Sequence, residues 1–252
     1  MSKLLAYANI EMKIAFRIPI AFFFTLIFPQ ILLITLTMVM GNEMISPGIF
    51  FVDIYVPLAS LISIMSNGII SFSFLVAGNR KKKLWVTYIM RGLRLRQIIT
   101  APLIVNIFIC WISTILLIIT GLLLFNAQLP DISHIFIFFG IWLIFAVGIF
   151  MIGFAIGSLS KNEKTSQSIS TVIMFVLMIL SGLFINYNSL PLKLQKISDF
   201  LITTQANKIM VYYWNYDSMD KFTGNWVIVA AWIILLTILV IFRLRKDNLR
   251  RT

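Results

Sequence analysis

The stretch Ile132–Leu159, ISHIFIFFGIWLIFAVGIFMIGFAIGSL, decides the fold class. It contains no Asp, Glu, Lys or Arg, and it exceeds the ~20 residues a helix needs to cross hydrocarbon. A helix that is apolar on every side has no face for water. Five other stretches read the same way or nearly so: Pro19–Gly41, Ile54–Gly78, Ile98–Phe125, Ser168–Ile185 and Trp226–Phe242. The expectation is an all-α integral membrane protein with six transmembrane helices, forming one domain over residues 1–252.

Composition agrees. Of the 252 residues 60% are hydrophobic and 12% charged, with a mean hydropathy of +0.97. A soluble domain sits near ~45–50% apolar and ~25% charged. The net charge is +12, from 21 Lys and Arg against 9 Asp and Glu. Strong basicity can mean nucleic-acid binding. Here the bases lie between apolar spans, so they read as cationic loops holding a membrane protein in orientation, and no nucleic acid is expected.

All but four of the 21 cations fall on one side: before the first span, between spans two and three, between four and five, and after the sixth. The exceptions, Lys193, Lys196, Lys208 and Lys221, all lie between spans five and six. The positive-inside rule makes the rich side cytoplasmic, with both termini there. Six of the nine acids (Glu43, Asp53, Asp131, Asp199, Asp217, Asp220) lie on the opposite side.

Residues 1–17 carry Leu5, Ala8, Met12, Ala15 and Phe16 on one helical face, with Asn9, Lys13 and Arg17 on another. This reads as an amphipathic helix at the cytoplasmic interface. The first apolar run lacks a small-residue cleavage site and reads as a retained helix. Pro19 suits its first turn. Pro29 should kink it.

The loop 79–97 is basic yet keeps Leu84, Trp85, Tyr88, Ile89, Leu93 and Leu95. A merely solvated loop has no need of them. One or two short cytoplasmic helices are expected, docked on something and broken at Gly92. Segment 186–224 has helical apolar spacing at Leu190, Leu194, Ile197 and Leu201, predicting a helical run over Leu190–Met210. Tyr187, Tyr212, Tyr213, Trp214 and Tyr216 read as anchors at the outer headgroups.

No enzyme constellation is visible. His134 is the only histidine and Cys110 the only cysteine, inside an apolar stretch. No spaced ligand set for a metal exists, nor a Gly-x-x-x-x-Gly-Lys loop. The span interiors carry no Asp, Glu, Lys or Arg, whereas ion-coupled carriers usually place ionisable groups there. Gly153 and Gly157 form a Gly-x-x-x-Gly step near Gly148, which ordinary bundle packing explains. Asn67 and Asn106 inside spans two and three either cross-bond or face a pathway. A bundle without an internal energy source, carrying a basic, partly apolar inner loop, suggests a channel driven by a separate cytoplasmic protein.

In layout and in two motifs the chain resembles the permease subunits of type-2 ABC exporters. The motifs are Leu180-Ser181-Gly182-Leu183-Phe184-Ile185 and then Leu190-Pro191-Leu192-Lys193-Leu194-Gln195-Lys196-Ile197. The resemblance implies that Leu84–Arg96 is a coupling helix docking on an ATPase, through Leu84, Trp85, Tyr88, Ile89, Met90, Arg91, Gly92, Leu93 and Arg94. It implies an interfacial helix using Leu5, Met12, Phe16 and Arg17, and an outer gate segment at Ser181, Gly182, Leu190 and Pro191. The family often has a glutamate before the coupling helix. Here the run is Asn79-Arg80-Lys81-Lys82-Lys83, which suggests a partner with a more acidic groove. The outer helix also lacks the usual Asn-Pro ending.

The implied partners are two cytoplasmic ATPase subunits, a second six-span chain (the same or a paralogue) and the bacterial plasma membrane. ATP and magnesium belong to the ATPase, and this chain holds no cofactor. The implied cargo is amphipathic: an antimicrobial peptide or bacteriocin, a drug, or a lipid-like molecule. The competing expectation is a non-transporting membrane scaffold that binds a cytoplasmic partner through 79–97.

Overall fold

The computed structural model describes residues 7, 9–13, 22–46, 48–82, 84–90, 92, 95–184, 187–215 and 224–249. After the helical residues 9–13 and a π-helical turn at Phe23–Ile27 comes α1 (Phe28–Met40). A small antiparallel hairpin follows, β1 (Met44–Ser46) and β2 (Ile49–Phe50). Then come α2 (Phe51–Met65), a π-helical turn at Ser66–Ser71, α3 (Phe72–Lys81), the short α4 (Leu84–Met90), α5 (Leu95–Phe125) and α6 (Ile132–Leu159). The chain finishes with α7 (Glu163–Leu180), α8 (Leu192–Asp199), α9 (Ile202–Trp214) and α10 (Trp226–Leu249).

Among the described residues five helices are long and apolar enough to cross a membrane: Phe23–Met40, Phe51–Lys81, Gln97–Phe125, Ile132–Leu159 and Trp226–Leu244. The protein is an all-α membrane protein with a minor hairpin. The fifth expected span, Ser168–Ile185, is not among them. Its helix α7 starts at Glu163 because Asn162 caps it, the Asn162 side chain accepting from the Thr165 N–H at 2.8 Å. It stops at Leu180 because Gly182 takes a left-handed φ of 79° while Leu183 N–H bonds back to Met178. Its first turn is polar, with Glu163 and Lys164.

Phe51–Lys81 is the axis, packed against α1, α5, α6, α7 and α9. It begins three residues earlier than expected because Asp53 caps it, accepting from Phe50 N–H at 2.9 Å. The second Asp53 oxygen accepts from Gln128 N–H at 2.7 Å, tying in the α5–α6 connection. Asn42 holds the hairpin there, donating to the Phe125 carbonyl and accepting from Val52 N–H.

Two prolines decide where the polar contacts fall. A proline has no N–H for the carbonyl four residues back. Pro29 therefore denies a partner to Thr25, and the chain widens into the π-helical turn just before it. The Thr25 carbonyl accepts instead from the Ser63 and Ser113 hydroxyls, at 2.9 and 2.7 Å, joining α1 to α2 and α5. Pro57 likewise frees the Asp53 carbonyl, which accepts from the Asn215 side chain at 3.2 Å. Asn67 donates to the Asn106 carbonyl at 3.4 Å, and Asn106 to the Pro102 carbonyl at 2.8 Å, so the two asparagines cross-bond between α5 and the axis.

The Gly-x-x-x-Gly step is more than incidental packing. A Cβ built on Gly153 would run into the Gly68 carbonyl, and one on Gly157 into the Ser73 carbonyl and Val76. The axis and α6 thus touch backbone to backbone, with Phe72 and Phe150 edge to face 5.1 Å apart beside the seam. At the cationic end Lys82 pairs with Glu163 at 2.8 Å and Arg243 donates to the Ser158 carbonyl at 2.7 Å.

Two outcomes are expected in thermal melts of the detergent-solubilised protein. Gly153→Leu abolishes the folded peak or lowers stability by about 1–3 kcal/mol, as overpacking does. Gly140→Leu, where an added Cβ meets nothing within 4 Å, melts like wild type. Ser63→Ala and Ser113→Ala each cost about 0.6 kcal/mol, a typical hydroxyl bond in a membrane core. The double variant loses more than their sum, because Thr25 then has no partner; strict additivity would refute the shared carbonyl.

Candidate functional site

The cationic end presents α4, whose two faces differ. Trp85 is 4% exposed and shares a void of about 10 Å³ with Phe72, Val76, Ile98, Pro102 and Phe154, so its ring is seated between α3, α5 and α6. Tyr88, one turn on, packs against Tyr7 of the N-terminal entry helix, the rings tilted by 59° with centroids 4.9 Å apart. Leu84 is half-buried, while Thr87 is exposed, Ile89 is 38% exposed and Met90 78%. Gly92 takes a φ of 83° and its N–H caps Ile89 at 2.8 Å, ending the helix where the sequence placed the break. Arg91, Leu93 and Arg94 lie outside the described residues.

The entry helix approaches α4 by a face that periodicity did not mark. Tyr7 and Glu11 are buried, one turn apart, while Met12 is half-buried and Ile10 exposed. Leu5, Phe16 and Arg17 lie outside the described residues. Burial pushes the Glu11 carboxyl above the usual carboxylate range, partly offset by Tyr7. Its spacing of one turn from Tyr7 is the only signal of this in the sequence.

At the opposite end Ser181, Gly182, Leu190 and Pro191 come together where α7 stops and α8 starts. The Ser181 hydroxyl lies 2.5 Å from both the Leu177 carbonyl and the Thr203 hydroxyl, and its own carbonyl accepts from Asn207 at 2.9 Å. Leu190 is buried, and its carbonyl accepts from Gln195 at 2.8 Å. Pro191 caps α8, accepting from the Leu194 and Gln195 N–H groups. Ser198 bonds the Leu180 carbonyl and the Thr204 hydroxyl, and Gln205 donates to the Asp199 carbonyl at 2.6 Å while accepting from Asn225 N–H. Lys208 pairs with Asp199 at 2.7 Å and lies over the Tyr187 ring at 4.2 Å. Tyr187 donates to Asp199 at 2.8 Å; burial, then that carboxylate, pushes its hydroxyl up to about 12.

This seam corrects two expectations. The single run Leu190–Met210 is two helices, broken at the extended Leu201, with Gln205 supplying the bond the ladder loses. On α8 Leu194 and Ile197 are 38% and 54% exposed, and the buried helix is α9. Trp214 is not a headgroup anchor: it is 3% exposed and meets Phe138 edge to face at 4.9 Å. The missed residues Thr203, Thr204, Gln205 and Asn207 stood out only as a polar run in an apolar chain.

Between α5 and α6 an apolar groove of about 470 Å³ is lined by Ile104, Phe108, Trp111, Phe139, Trp142 and Leu143. Among the described residues no three His, Cys, Asp or Glu gather as a metal site would need.

No curated protein matches the chain. The family model described as ABC-2 family transporter protein matches residues 46–242, from the hairpin through α10. That is most of the chain and includes α4, the Gly153 contact and the polar seam. The protein therefore belongs to the ABC-2 transporter family, as a multi-pass membrane permease component of an ABC transporter.

Proposed function

We propose that this chain is the permease of an ATP-driven exporter in a bacterial plasma membrane, with both termini cytoplasmic. In that reading α7 is the fifth of six spans, since it packs along α3 and α6. The helix at 1–17 lies in the cytoplasmic interface, 79–97 is the coupling loop and 186–224 the outer segment. Two copies, or this chain and a paralogue, sit over two ATPase subunits that hold ATP and magnesium. The cargo is amphipathic (a peptide or bacteriocin, a drug or a lipid-like molecule), which suits walls without ionisable groups.

The observation that carries this is the two-faced α4. A helix that merely lay on the membrane would float. Here Trp85 and Tyr88 root it to α3, α5 and the entry helix, while Thr87 and Met90 project free. When ATP draws two ATPases together, a push on Met90 passes into the bundle. The exposed residues contact the ATPase; Trp85 and Tyr88 are positioning residues. The far seam, built of hydroxyl and amide contacts, is the element with two arrangements that the push biases.

The test uses the complex co-purified with its ATPase. Met90→Asp lowers cargo-stimulated ATP hydrolysis about tenfold, as loss of one interface anchor does, and leaves the melting point unchanged. Trp85→Ala instead lowers the melting point, with a stability loss of about 3–5 kcal/mol. Replacing 84–93 by a Gly/Ser linker abolishes transport. Full transport by an assembled linker variant would overturn the coupling role; an assembled wild-type complex that moves nothing would favour a scaffold.

A further inference from the structure

The helix α8 turns its apolar side chains away from the protein. Leu192 is 76% exposed, Ile197 54% and Phe200, just after the helix, 68%. Lys193 and Lys196 are exposed on the same side, and neither forms an ion pair among the described residues. The spacing 193, 196, 197 and 200 puts two cations and two large apolar groups on one helical face. The opposite edge is anchored by Ser198.

The depth of this face is set by two contacts. Trp232 donates its indole N–H to the Phe200 carbonyl at 2.6 Å, and Trp232 lies about 9 Å inside the start of α10 at Trp226. Ile202 sits against Gly148, in the middle of the 28-residue α6. The α8–α9 elbow is therefore sunk below the ends of two apolar helices, among acyl chains. Lys193 in the first turn of α8 and Lys196 in its last turn have stems long enough to bring their ammonium groups toward headgroup level.

We propose that the exposed face of α8 is a binding seat for an anionic phospholipid, its phosphate held by Lys193 and Lys196 and an acyl chain laid along Ile197 and Phe200. Two unpaired cations above an apolar surface match the charge order of that lipid from headgroup to tail. A zwitterionic lipid carries its own cation and competes poorly for the pair. The assignment of this seat to the outer leaflet rests on the topology proposed above; the seat itself rests on α8 alone.

The purified chain is placed in nanodiscs of phosphatidylcholine with phosphatidylglycerol, and retained lipid is measured by native mass spectrometry. Wild type retains phosphatidylglycerol preferentially. Lys193→Gln with Lys196→Gln reduces that retention about tenfold or more, and Ile197→Ser with Phe200→Ser reduces retention of both lipids. Equal retention by the lysine variant overturns the proposal. So does a melting shift of the same size from inorganic phosphate alone, which would make the occupant a free anion. Efficient disulfide formation between copies of Lys193→Cys, with no loss of retained lipid, would show a second chain on this face and equally refute it. Neither the ATPase nor orientation enters the measurement, so its failure leaves the export reading standing, and a failure of export leaves the lipid seat standing.

Discussion

A backbone carbonyl deprived of its donor inside hydrocarbon must find another or lose several kcal/mol, and two prolines in this chain create that situation. Pro29 strips Thr25, and Pro57 strips Asp53. Each carbonyl is answered from a different helix, by Ser63 and Ser113 in one case and Asn215 in the other. A membrane bundle has no hydrophobic driving force between its helices, because lipid is as apolar as leucine. Its cohesion has to come from close packing and from such bonds. The prolines thus act as connectors: α1 is held to α2 and α5, and α9 is held to the axis.

Glycine supplies the other half of that cohesion. With backbone against backbone at Gly68–Gly153 and Ser73–Gly157, the axis and α6 leave no room to slide. Between them and the cationic end, Lys82–Glu163 and Arg243–Ser158 close the remaining gaps. A rigid pair of helices transmits displacement with little loss, whereas a loosely packed pair would absorb it locally. In the export reading proposed above, force applied at α4 reaches the opposite end through the axis.

The apolar helices were legible because their signal is long-range and one-sided: twenty residues without a charge have few folded alternatives. Ile132–Leu159 was bounded to the residue, and the break at Gly92 followed from the one residue type that enters the left-handed region freely. The ends of α7 were not, because Asn162 and Gly182 act through local hydrogen bonds that hydropathy does not register. Glu11 and the α9 run failed for a related reason. Periodicity assigns polar residues to the surface, yet in lipid a polar side chain with a partner belongs inside, and the partners Tyr7 and Ser181 are recognisable only in three dimensions. α8 is the converse: periodicity marks its leucines and isoleucine as a helical face but does not say which way that face turns, and in a bilayer apolar groups have no reason to hide.

That converse bears on how the two ends differ mechanically. Fixed contacts at the axis involve backbone atoms, for which no alternative geometry exists without unpacking the helices. The far seam is made of Ser181, Ser198, Thr203, Thr204, Gln205 and Asn207, short groups that can each donate and accept. Hydroxyls exchange partners by a rotation about one bond, so a displaced α9 meets new acceptors as it leaves old ones. Hydrogen bonds of this kind contribute little individually in membranes, about 0.6 kcal/mol. In the export reading, the energy separating two arrangements of the seam is therefore small beside what a closing ATPase supplies, while the glycine contact between the axis and α6 stays fixed.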